Sequence, residues 1–322
     1  MIKVSVVIPV YNVEKFISKC VHSLMRQTLK EMEFIFVSDC TPDASVGIIR
    51  EVIDLYPERT SQVVIIENFS HQGTSETRKR GTCASRGEYV GYCDADDWVE
   101  PLMFEKLYDA AKNDNSDIAL CDFVKDFEQS HEVHSFEYPA TPALCLQQAY
   151  NRKKFSYNIW HQLIKRDIAV DSLNRVYPTS YSEDVFSLFY AYIRAKNIAY
   201  VPEVLYHYNQ CNPSSMMTKR RYSESLWRNI CKNIDDIVSS LNQESCEQYY
   251  IACQWLKFTR KISCRSVFCN LHDYYNIYKE SHREIMRYES IEYNVRRKYR
   301  IIYSSYLIFW LYENVYSRII SK

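Results

Sequence analysis

The amino-acid sequence predicts an α/β protein with a doubly wound, mostly parallel sheet, flanked by helices and followed by a helical C-terminal region. Three observations support this fold class. Short runs rich in β-branched and aromatic residues alternate with helix-like segments across the first 122 residues. These runs are nearly continuous in apolar residues, as expected of strands that are covered on both faces. Beyond residue 218, apolar residues recur at helical period instead.

Four strands are predicted in the first hundred residues, each followed by a turn. They span Lys3–Val10, Glu33–Ser38, Val63–Glu67 and Tyr89–Cys93. Two amphipathic segments and one polar segment lie between them and predict helices joined by right-handed crossovers. These helices cover Val13–Leu24, Ile48–Tyr56 and Thr74–Ser85.

The later elements follow a less regular pattern. A further strand is predicted at Asp117–Asp122, a short strand near Glu132–Tyr138 and a helix near Pro142–Arg152. A second group contains a helix that opens at Ser182 and strand segments at Ile198–Val201 and Val204–Tyr208. Pro213–Thr218 is a polar break, so we place a domain boundary after residue 218 and assign 219–322 to a helical C-terminal region.

The composition argues against several classes of function. Lys and Arg number 40 and Asp and Glu number 40, so no overall charge draws the chain to nucleic acid. Twelve cysteines occur without a Cys-x-x-Cys pair, which argues against a zinc site or a disulfide framework. The segment Met1–Pro9 does not have the pattern of a signal peptide. We therefore expect a cytoplasmic protein with reduced thiols.

The most informative stretch is Glu88–Trp98, where a buried strand ends in Asp94, Asp96 and Asp97. Carboxylates this close together repel one another unless a cation lies among them. Carboxylate oxygens without nearby Cys or His ligands suit Mg²⁺ or Mn²⁺. An acidic turn that caps a helix starting near Pro101 would explain the same residues. The turn alone leaves both interpretations open.

The predicted strand ends place polar side chains at one edge of the sheet. Ligands of open α/β sheets bind beyond the carboxyl ends of the strands. The residues placed there are Pro9–Asn12, Asp39 and Asp94–Asp97. The chain has no Gly-x-Gly-x-x-Gly turn after the first strand and no Gly-x-x-x-x-Gly-Lys loop. We therefore expect any phosphate at this edge to be held by a metal ion and side chains.

Six separated motifs, in order, resemble those of the family 2 inverting glycosyltransferases, which have a GT-A fold. They are Val7–Asn12, Val37–Ser45, Gly73–Gly81 with Arg78, Ala84–Trp98, Ser182–Asp184 and Pro202–Tyr208. The resemblance covers about residues 1–218 and implies a GT-A catalytic domain there. Its nucleotide-sugar side would be residues 1–122, and residues 123–218 would carry the acceptor side and the catalytic base.

The resemblance implies specific roles on the donor side. Pro9, Tyr11 and Asp39 would hold the base and ribose of the nucleotide, and Arg78 would lie near its phosphates. Asp94–Ala95–Asp96 matches the family's Asp-x-Asp motif at the nucleotide-sugar. Within that motif, Asp96 is the expected direct ligand of Mn²⁺ or Mg²⁺, and Asp94 is the second metal-site residue.

On the acceptor side, Asp184 matches the position of the family's catalytic base, and Glu183 is the neighbour most readily confused with it. Two acids after Ser182 at a helix start are also what capping and the helix dipole favour, so spacing alone leaves both interpretations open. Aromatic faces stack on sugars, although such residues more often belong to the core or its rim. Three residues are weaker acceptor candidates on this ground: Trp98, Trp160 and His161.

The chain departs from the family pattern at a few positions. Ser38–Asp39 has one carboxylate where the family usually has two, and Lys79 stands in place of the usual Asn after Arg78. His71 occupies a position where Asn is common, and Gln162 one where Lys is common. These differences leave the expected metal ligands and base in place, but donor and acceptor preferences need not follow the family.

These features together predict a metal-dependent inverting glycosyltransferase that transfers a hexosyl or N-acetylhexosaminyl group. The donor would be a nucleoside-diphosphate-sugar, a UDP-sugar by preference, and the acceptor a hydroxyl of a glycan or lipid-linked glycan in cell-surface polysaccharide assembly. A divalent cation would neutralise the leaving diphosphate, and a carboxylate would take the proton of the hydroxyl. The alternatives are a silent nucleotide- or glycan-binding scaffold and a metal-dependent nucleotidyl or phosphoryl transferase.

The C-terminal segment has a pattern of its own. Ile301–Tyr312 is apolar and aromatic but too short to span a bilayer. Basic residues flank it at Arg296, Arg297, Lys298, Arg300, Arg318 and Lys322. This pattern suits a helix over residues 296–320 that lies on the inner face of a membrane near anionic lipids. A core helix packed on the catalytic domain is the alternative.

Overall fold

A computed structural model describes residues 1–137, 141–147, 156–179, 182–213 and 223–241, and parts of the chain between 249 and 312. The chain forms two compact units. One contains Met1–Pro142 and Ser156–Arg220, and the other contains Ala143–Phe155 and Arg221–Lys322. The boundary that we predict after Thr218 falls outside the described residues.

The first unit is built on a nine-stranded sheet. Its strands, in chain order, are β1 Val4–Val10, β2 Met32–Ser38, β3 Val63–Glu67, β4 Tyr89–Tyr92, β5 Trp98–Val99, β6 Ile118–Asp126, β7 His131–His134, β8 Gln162–Lys165 and β9 Ile198–Asn209. Their order across the sheet is β3-β2-β1-β4-β8-β6-β9-β5, and β7 pairs with β6. Every residue of β2 and β4 is buried, as the apolar runs in these strands predict.

Parallel pairing aligns the carboxyl ends of β1, β2 and β4. Val10 of β1 is in register with Ser38 of β2, and Val7 is in register with Tyr92 of β4. The hydrogen bond from the Asp39 N–H to the Val10 carbonyl (2.9 Å) continues this alignment past the strand ends. The polar residues that follow these strands therefore share one edge of the sheet.

Two strands that the sequence pattern does not predict turn the other half of the sheet into a mixed one. β8 lies antiparallel between β4 and β6, and the two-residue β5 lies antiparallel to β9. The segments that we predict separately at Ile198–Val201 and Val204–Tyr208 form the single strand β9, which pairs parallel with β6 across register shifts. Pro202, at the break between the two segments, cannot donate a ladder hydrogen bond, which accounts for the interrupted pattern.

The helices follow the predicted amphipathic segments, with one addition. They are α1 Ile17–Met25, α2 Ser45–Ile53, α3 Thr74–Ala84, α4 Met103–Asn113, α5 Pro142–Gln147, α6 Arg166–Arg175 and α7 Glu183–Arg194. α6 is not expected from the sequence pattern. Residues 148–152 of the helix predicted near Pro142, and Tyr138 of the predicted short strand, lie outside the described residues.

Close packing of α3 fixes the position of the side chains that it carries. A Cβ on Gly81 would lie 2.4 Å from Cγ1 of Val7 and 3.0 Å from Cγ2 of Val37. Only glycine allows α3 to approach β1 and β2 this closely. Arg78 lies one turn earlier on α3 and is held at a fixed distance from the sheet edge as a result.

The second unit is helical where it is described. It contains α8 Glu224–Ser240, α9 Leu271–Asn276, α10 Lys279–Ile285 and α11 Tyr306–Leu311. The Ser223 hydroxyl caps α8 by accepting a hydrogen bond from the Leu226 N–H (3.1 Å). No helix among the described residues is long and apolar enough to cross a membrane. Most of the segment 296–320 lies outside the described residues, so its membrane-surface role stays a prediction.

Candidate active site

Asp97 anchors the acidic turn from within the protein. Its side chain is fully buried and accepts hydrogen bonds from the Tyr206 hydroxyl (2.6 Å) and the Asn209 N–H (2.8 Å). Burial raises the pKa of Asp97 well above its usual range, and the charges of Asp96 and Asp94 raise it further. This carboxylate has no surface to offer a ligand and holds the turn against β9.

Asp96 and Asp94, by contrast, are half-buried at the sheet edge. The Asn212 amide donates to Oδ2 of Asp96 (2.7 Å), and the Asn209 amide donates to its backbone carbonyl (3.0 Å). Burial raises the pKa of Asp96, and the neighbouring charge of Asp94 adds to the shift. The capping interpretation does not fit this turn, because β5 follows it and α4 begins only at Met103, without a side-chain cap.

Arg78 connects the acidic turn to α7. Its guanidinium donates from Nη2 to Oδ1 of Asp94 (2.6 Å) and from Nη1 to Oε1 of Glu183 (2.5 Å). Burial alone would lower the pKa of Arg78, but the charges of Asp94, Glu183 and Asp184 outweigh it and hold the pKa above its usual range. The arginine is therefore charged and bridges two carboxylates that are 89 positions apart in the chain (Asp94 and Glu183).

Glu183 and Asp184 occupy the first turn of α7, as predicted. Glu183 is buried, and burial, followed by the charge of Asp184, raises its pKa to about 7 although Arg78 opposes the shift. Asp184 is half-buried, and its Oδ1 accepts a hydrogen bond from the Val185 N–H (2.8 Å). Ser182 makes no side-chain cap and has a φ of 67°, a left-handed conformation that a serine rarely adopts. Strain of this kind is typical of functional sites.

Asp39 organises the loop after β3. Its buried carboxylate accepts hydrogen bonds from the Asn68 amide (2.7 Å) and from the N–H groups of Gln72 (2.9 Å) and Gly73 (2.7 Å). His71 Nδ1 lies 2.8 Å from its Oδ2. Burial would raise the pKa of Asp39, but these hydrogen bonds outweigh it and lower the pKa. Asp39 thus holds residues 68–73 at the sheet edge, and its contact with a nucleotide stays a prediction.

The other residues predicted for the nucleotide lie along the same edge. Tyr11 is exposed, and its ring packs on that of His71 with centroids 4.2 Å apart. Pro9 is half-buried and in register with Val37. Ala95 is buried between the two half-buried aspartates. Tyr11 and His71 together offer an aromatic surface of the kind on which a nucleotide base stacks.

The three aromatic residues predicted for the acceptor are less accessible. Trp160 is 4% exposed and His161 is fully buried, with Nδ1 donating to the Cys121 carbonyl (2.8 Å). Burial lowers the pKa of His161 to about 4, so the ring is neutral. Trp98 is half-buried, with the Lys19 ammonium over its ring and His207 stacked on it. Direct acceptor contact by Trp160 or His161 would require the surrounding packing to move, and the Trp98 ring is already packed by Lys19 and His207.

The donor set at this edge suits a divalent cation shared with a diphosphate. Mg²⁺ sites commonly use one or two carboxylates together with substrate phosphates. Asp94 and Asp96 supply the two carboxylates; burial raises the pKa of Asp96, and the charge of Asp94, which a cation would offset, raises it further. No group of three His, Cys, Asp or Glu ligands occurs in the described part of the chain. The protein's own ligands therefore fit a cation only with further oxygens from a substrate.

Comparison with known proteins agrees with this architecture. Residues 5–172, more than half of the chain, match the model of the family described as Glycosyl transferase family 2. The chain belongs to this family. Over 224 residues it is 32% identical to the uncharacterized glycosyltransferase EpsJ of Bacillus subtilis (strain 168), covering 66% of this chain and 62% of EpsJ. The chain thus matches less than two thirds of that relative's length.

Two further similarities bear on the fold and its relatives. The poly(ribitol-phosphate) beta-glucosyltransferase of Bacillus spizizenii is 26% identical over 275 residues, which cover 84% of this chain and 40% of that protein. The crystal structure of S. aureus TarS 1-349 in complex with UDP-GlcNAc superposes with a TM-score of 0.70 at 18% identity. The superposition covers 95% of this chain and 87% of the TarS 1-349 chain. The GT-A fold predicted from the sequence motifs is confirmed.

The structure adds residues that the sequence patterns do not single out. Tyr206, Asn209 and Asn212 support the acidic turn from the end of β9 and from the segment that follows it. The available signal was their position, because polar residues at the end of a predicted strand belong to the ligand-binding edge of an α/β sheet. That signal did not show which aspartate each would contact.

Proposed function

We propose that this family 2 protein is an inverting glycosyltransferase that moves a hexosyl or N-acetylhexosaminyl group from a UDP-sugar to a glycan hydroxyl. The observation that supports this best is the bridge formed by Arg78. It ties Asp94, one of the two aspartates proposed for the donor diphosphate, to the first turn of α7, where the proposed base lies. One reaction centre with a phosphate side and a base side is what a single displacement with inversion needs.

Each group has a defined part in the proposed reaction. Asp184 takes the proton of the acceptor hydroxyl from the side opposite the leaving diphosphate. Arg78 adds positive charge next to Asp94, where charge develops on that diphosphate. A Mn²⁺ or Mg²⁺ ion held by Asp96 and Asp94 would supply further charge neutralisation at the diphosphate. Tyr11 and His71 would pack on the base of the nucleotide.

The relatives support the choice of donor and acceptor class. TarS is described in complex with UDP-GlcNAc, and the Bacillus spizizenii relative is named for glucosyl transfer to poly(ribitol phosphate). We propose a UDP-sugar donor and an acceptor glycan of the cell surface, such as a polysaccharide or teichoic acid chain. A silent scaffold would have no need of the strained turn at Ser182 beside the proposed base.

We also propose that the protein works at the inner face of the membrane through residues 296–320. Tyr306, Leu307 and Ile308 of α11 are exposed apolar side chains. Four basic residues within 296–300 precede them in the chain and suit anionic lipids. Sedimentation with phosphatidylglycerol vesicles, compared with phosphatidylcholine vesicles, tests this; equal absence from both pellets would contradict it.

Nucleoside diphosphate release tests the transferase proposal. The full-length protein is incubated with UDP-, GDP- and dTDP-sugars in Mn²⁺, Mg²⁺ or EDTA, with and without a bacterial membrane extract as acceptor source. We expect metal-dependent release from one donor that is lost in Asp96→Ala and strongly reduced in Asp184→Asn. Asp114→Asn, an exposed carboxylate after α4, is the matched control and should retain full activity. No release from any donor and no nucleotide binding by calorimetry would refute the proposal.

A further inference from the structure

β9 presents two rows of side chains, one on each face of the sheet. Side chains alternate along a strand, so Tyr206 and Tyr208 share one face and His207 lies on the other. His207 stacks on Trp98 (centroids 5.1 Å apart) and contacts Glu100. Tyr206 donates its hydroxyl hydrogen to Asp97. The Tyr206 hydroxyl therefore joins the face with the two tyrosines to the acidic turn at Asp97.

On this face three aromatic rings form a row that leads from the interior to the surface. Tyr206 is fully buried and stacks on Trp160, with centroids 4.2 Å apart and ring planes inclined by 17°. Trp160 in turn packs against Tyr208, at 5.2 Å between centroids. Of the three, Tyr208 retains accessible surface, whereas Tyr206 and Trp160 are 0% and 4% exposed.

Tyr208 lies close to the acidic turn. Burial raises the pKa of its phenol to about 12, and the negative charges of Asp97, Asp94 and Asp96 raise it as well. The next residue, Asn209, donates a hydrogen bond to the backbone of Asp96 (3.0 Å). The half-buried ring of Tyr208 thus packs against Trp160, and the residues that hold Asp97 of the acidic turn, Tyr206 and Asn209, flank it in β9.

We propose that Tyr208, supported by Trp160, is the platform on which a pyranose ring of the acceptor glycan stacks. This assignment rests on the proposed glycosyltransferase function and specifies the acceptor side of its site. The C–H face of a pyranose is apolar and packs on an aromatic face, and a ring held by neighbouring aromatic groups loses little entropy on binding. Tyr208 takes the role that the sequence pattern suggested for Trp98, Trp160 and His161.

Position in the fold favours the acceptor over the donor sugar. The nucleotide edge is formed by β1, β2 and the loop at residues 68–73. β9 lies on the far side of β4 and its acidic turn from these strands. A sugar on Tyr208 is therefore separated from the nucleotide edge by Asp94 and Asp96, on the side from which a hydroxyl would approach.

Saturation-transfer NMR on the full-length protein with UDP and Mn²⁺-free Mg²⁺ buffer tests the platform. The probes are the methyl glycosides of glucose, galactose and N-acetylglucosamine, and aromatic protons of the protein are irradiated. We expect transfer to the C–H protons of at least one glycoside in the wild-type protein. Tyr208→Phe should retain the transfer, and Tyr208→Leu should reduce it about five- to tenfold. Phe127→Leu, a loss of an exposed ring elsewhere in the same unit, is the matched control.

Each outcome of this experiment decides the assignment. Absence of transfer to every glycoside in the wild-type protein, or equal transfer in Tyr208→Leu, overturns it. In turnover with a reactive glycoside, Tyr208→Leu should raise the KM of the glycoside and leave the KM of the donor within about twofold, and an equal rise in both would overturn the acceptor assignment. Saturation transfer to a glycoside could depend on Tyr208 in a protein that releases no nucleoside diphosphate from any donor. That combination would support the sugar-binding role of Tyr208 and refute the proposed transferase activity.

Discussion

Arg78 donates hydrogen bonds to Asp94 at 2.6 Å and to Glu183 at 2.5 Å, and its side chain is only 6% exposed. One buried guanidinium thus compensates two carboxylates that come from different parts of the fold. The arrangement has a functional consequence. If Asp94 moves when a donor binds, Arg78 would transmit that movement through Glu183 to the first turn of α7, where Asp184 lies.

The first prediction concerns the stability of this bridge. Arg78→Met should lower the free energy of unfolding by about 3–5 kcal/mol, because it leaves buried carboxylates without a counter-charge. Arg50→Met removes an ion pair with Glu67 in which both side chains are about 60% exposed, and should cost about 0–1 kcal/mol. Urea unfolding of both variants measures the difference. Equal losses would show that the bridge carries no special stabilisation.

The second prediction is a dependence of stability on pH through Glu183. Its pKa is about 7 in the folded protein against 4.5 as an isolated side chain, mainly because of burial. A raised pKa contributes stability that is fully present below pH 4.5 and is lost as the pH rises through about 7. The free energy of unfolding of the wild type should therefore fall across this interval, relative to Glu183→Gln, by on the order of 2 kcal/mol.

Urea unfolding of the two proteins at several pH values between 4.5 and 8 tests this effect. The comparison uses the difference between the curves, so groups common to both proteins cancel. Glu132→Gln, which removes an exposed carboxylate on β7, is the control and should run parallel to the wild type. Parallel curves for wild type and Glu183→Gln would mean that the pKa of Glu183 is the same in the folded and unfolded states.

The third prediction separates the roles of two adjacent aspartates. Asp97→Ala should lower the free energy of unfolding by about 3 kcal/mol, because it leaves the buried Asn209 N–H and the Tyr206 hydroxyl without an acceptor. Asp96→Asn keeps an acceptor for Asn212 and should change stability by less than about 1 kcal/mol. Nucleoside diphosphate release by Asp96→Asn should nevertheless fall by about 10²-fold or more.

Thermal unfolding and nucleoside diphosphate release, measured on the same preparations, check both halves of this prediction. Tyr206→Phe is the partner control, since it removes one of the two hydrogen bonds to Asp97 and should cost about 1 kcal/mol. If Asp96→Asn unfolds as readily as Asp97→Ala, the two carboxylates share a structural role. If Asp96→Asn keeps wild-type activity, it is not a metal ligand.

The strand pattern and the strand-end rule account for most of what the sequence predicted. β1 to β4 and the helices between them follow the apolar runs, and Asp39, Asp94 and Asp96 meet at the edge where parallel strands end. β5 has two residues, which is too short for a periodic signal, and the four residues of β8 begin and end with polar side chains. Their pairing depends on contacts made across the sheet, which no local pattern encodes.

The different contacts of the three aspartates in the acidic turn could not be predicted for a related reason. The resemblance to the family motif separates Asp94 and Asp96 from Asp97, but the sequence pattern gives neither the burial nor the contacts of the three side chains. Asp97 points to Tyr206 and Asn209, more than one hundred positions away, whereas Asp94 meets Arg78. The same holds for Trp98, whose surroundings depend on Lys19 and His207. Partners this distant in sequence become visible only in the folded chain.

The last prediction concerns Asp39 and the loop at residues 68–73. Asp39→Asn replaces a carboxylate that accepts two backbone N–H bonds, from Gln72 and Gly73, with an amide that accepts fewer. Hydrogen bonds to charged groups are worth about 1.5–3 kcal/mol each, so stability at neutral pH should fall by roughly 2 kcal/mol. The pKa of Asp39 is lowered by these bonds, so its contribution is present above pH 3.8 and is lost as the pH falls further.

Urea unfolding measures this loss of stability at pH 7 and at the lowest pH that leaves both proteins folded. The difference in the free energy of unfolding between wild type and Asp39→Asn should be smaller in acid. The loop also carries His71 beside Tyr11, so calorimetry with UDP should show weaker binding in the variant. Asp54→Asn, at the exposed end of α2, is the matched control. Unchanged UDP affinity with reduced stability would show that neither Asp39 nor the loop that it holds contributes to UDP binding, because loss of either contact must weaken the measured affinity.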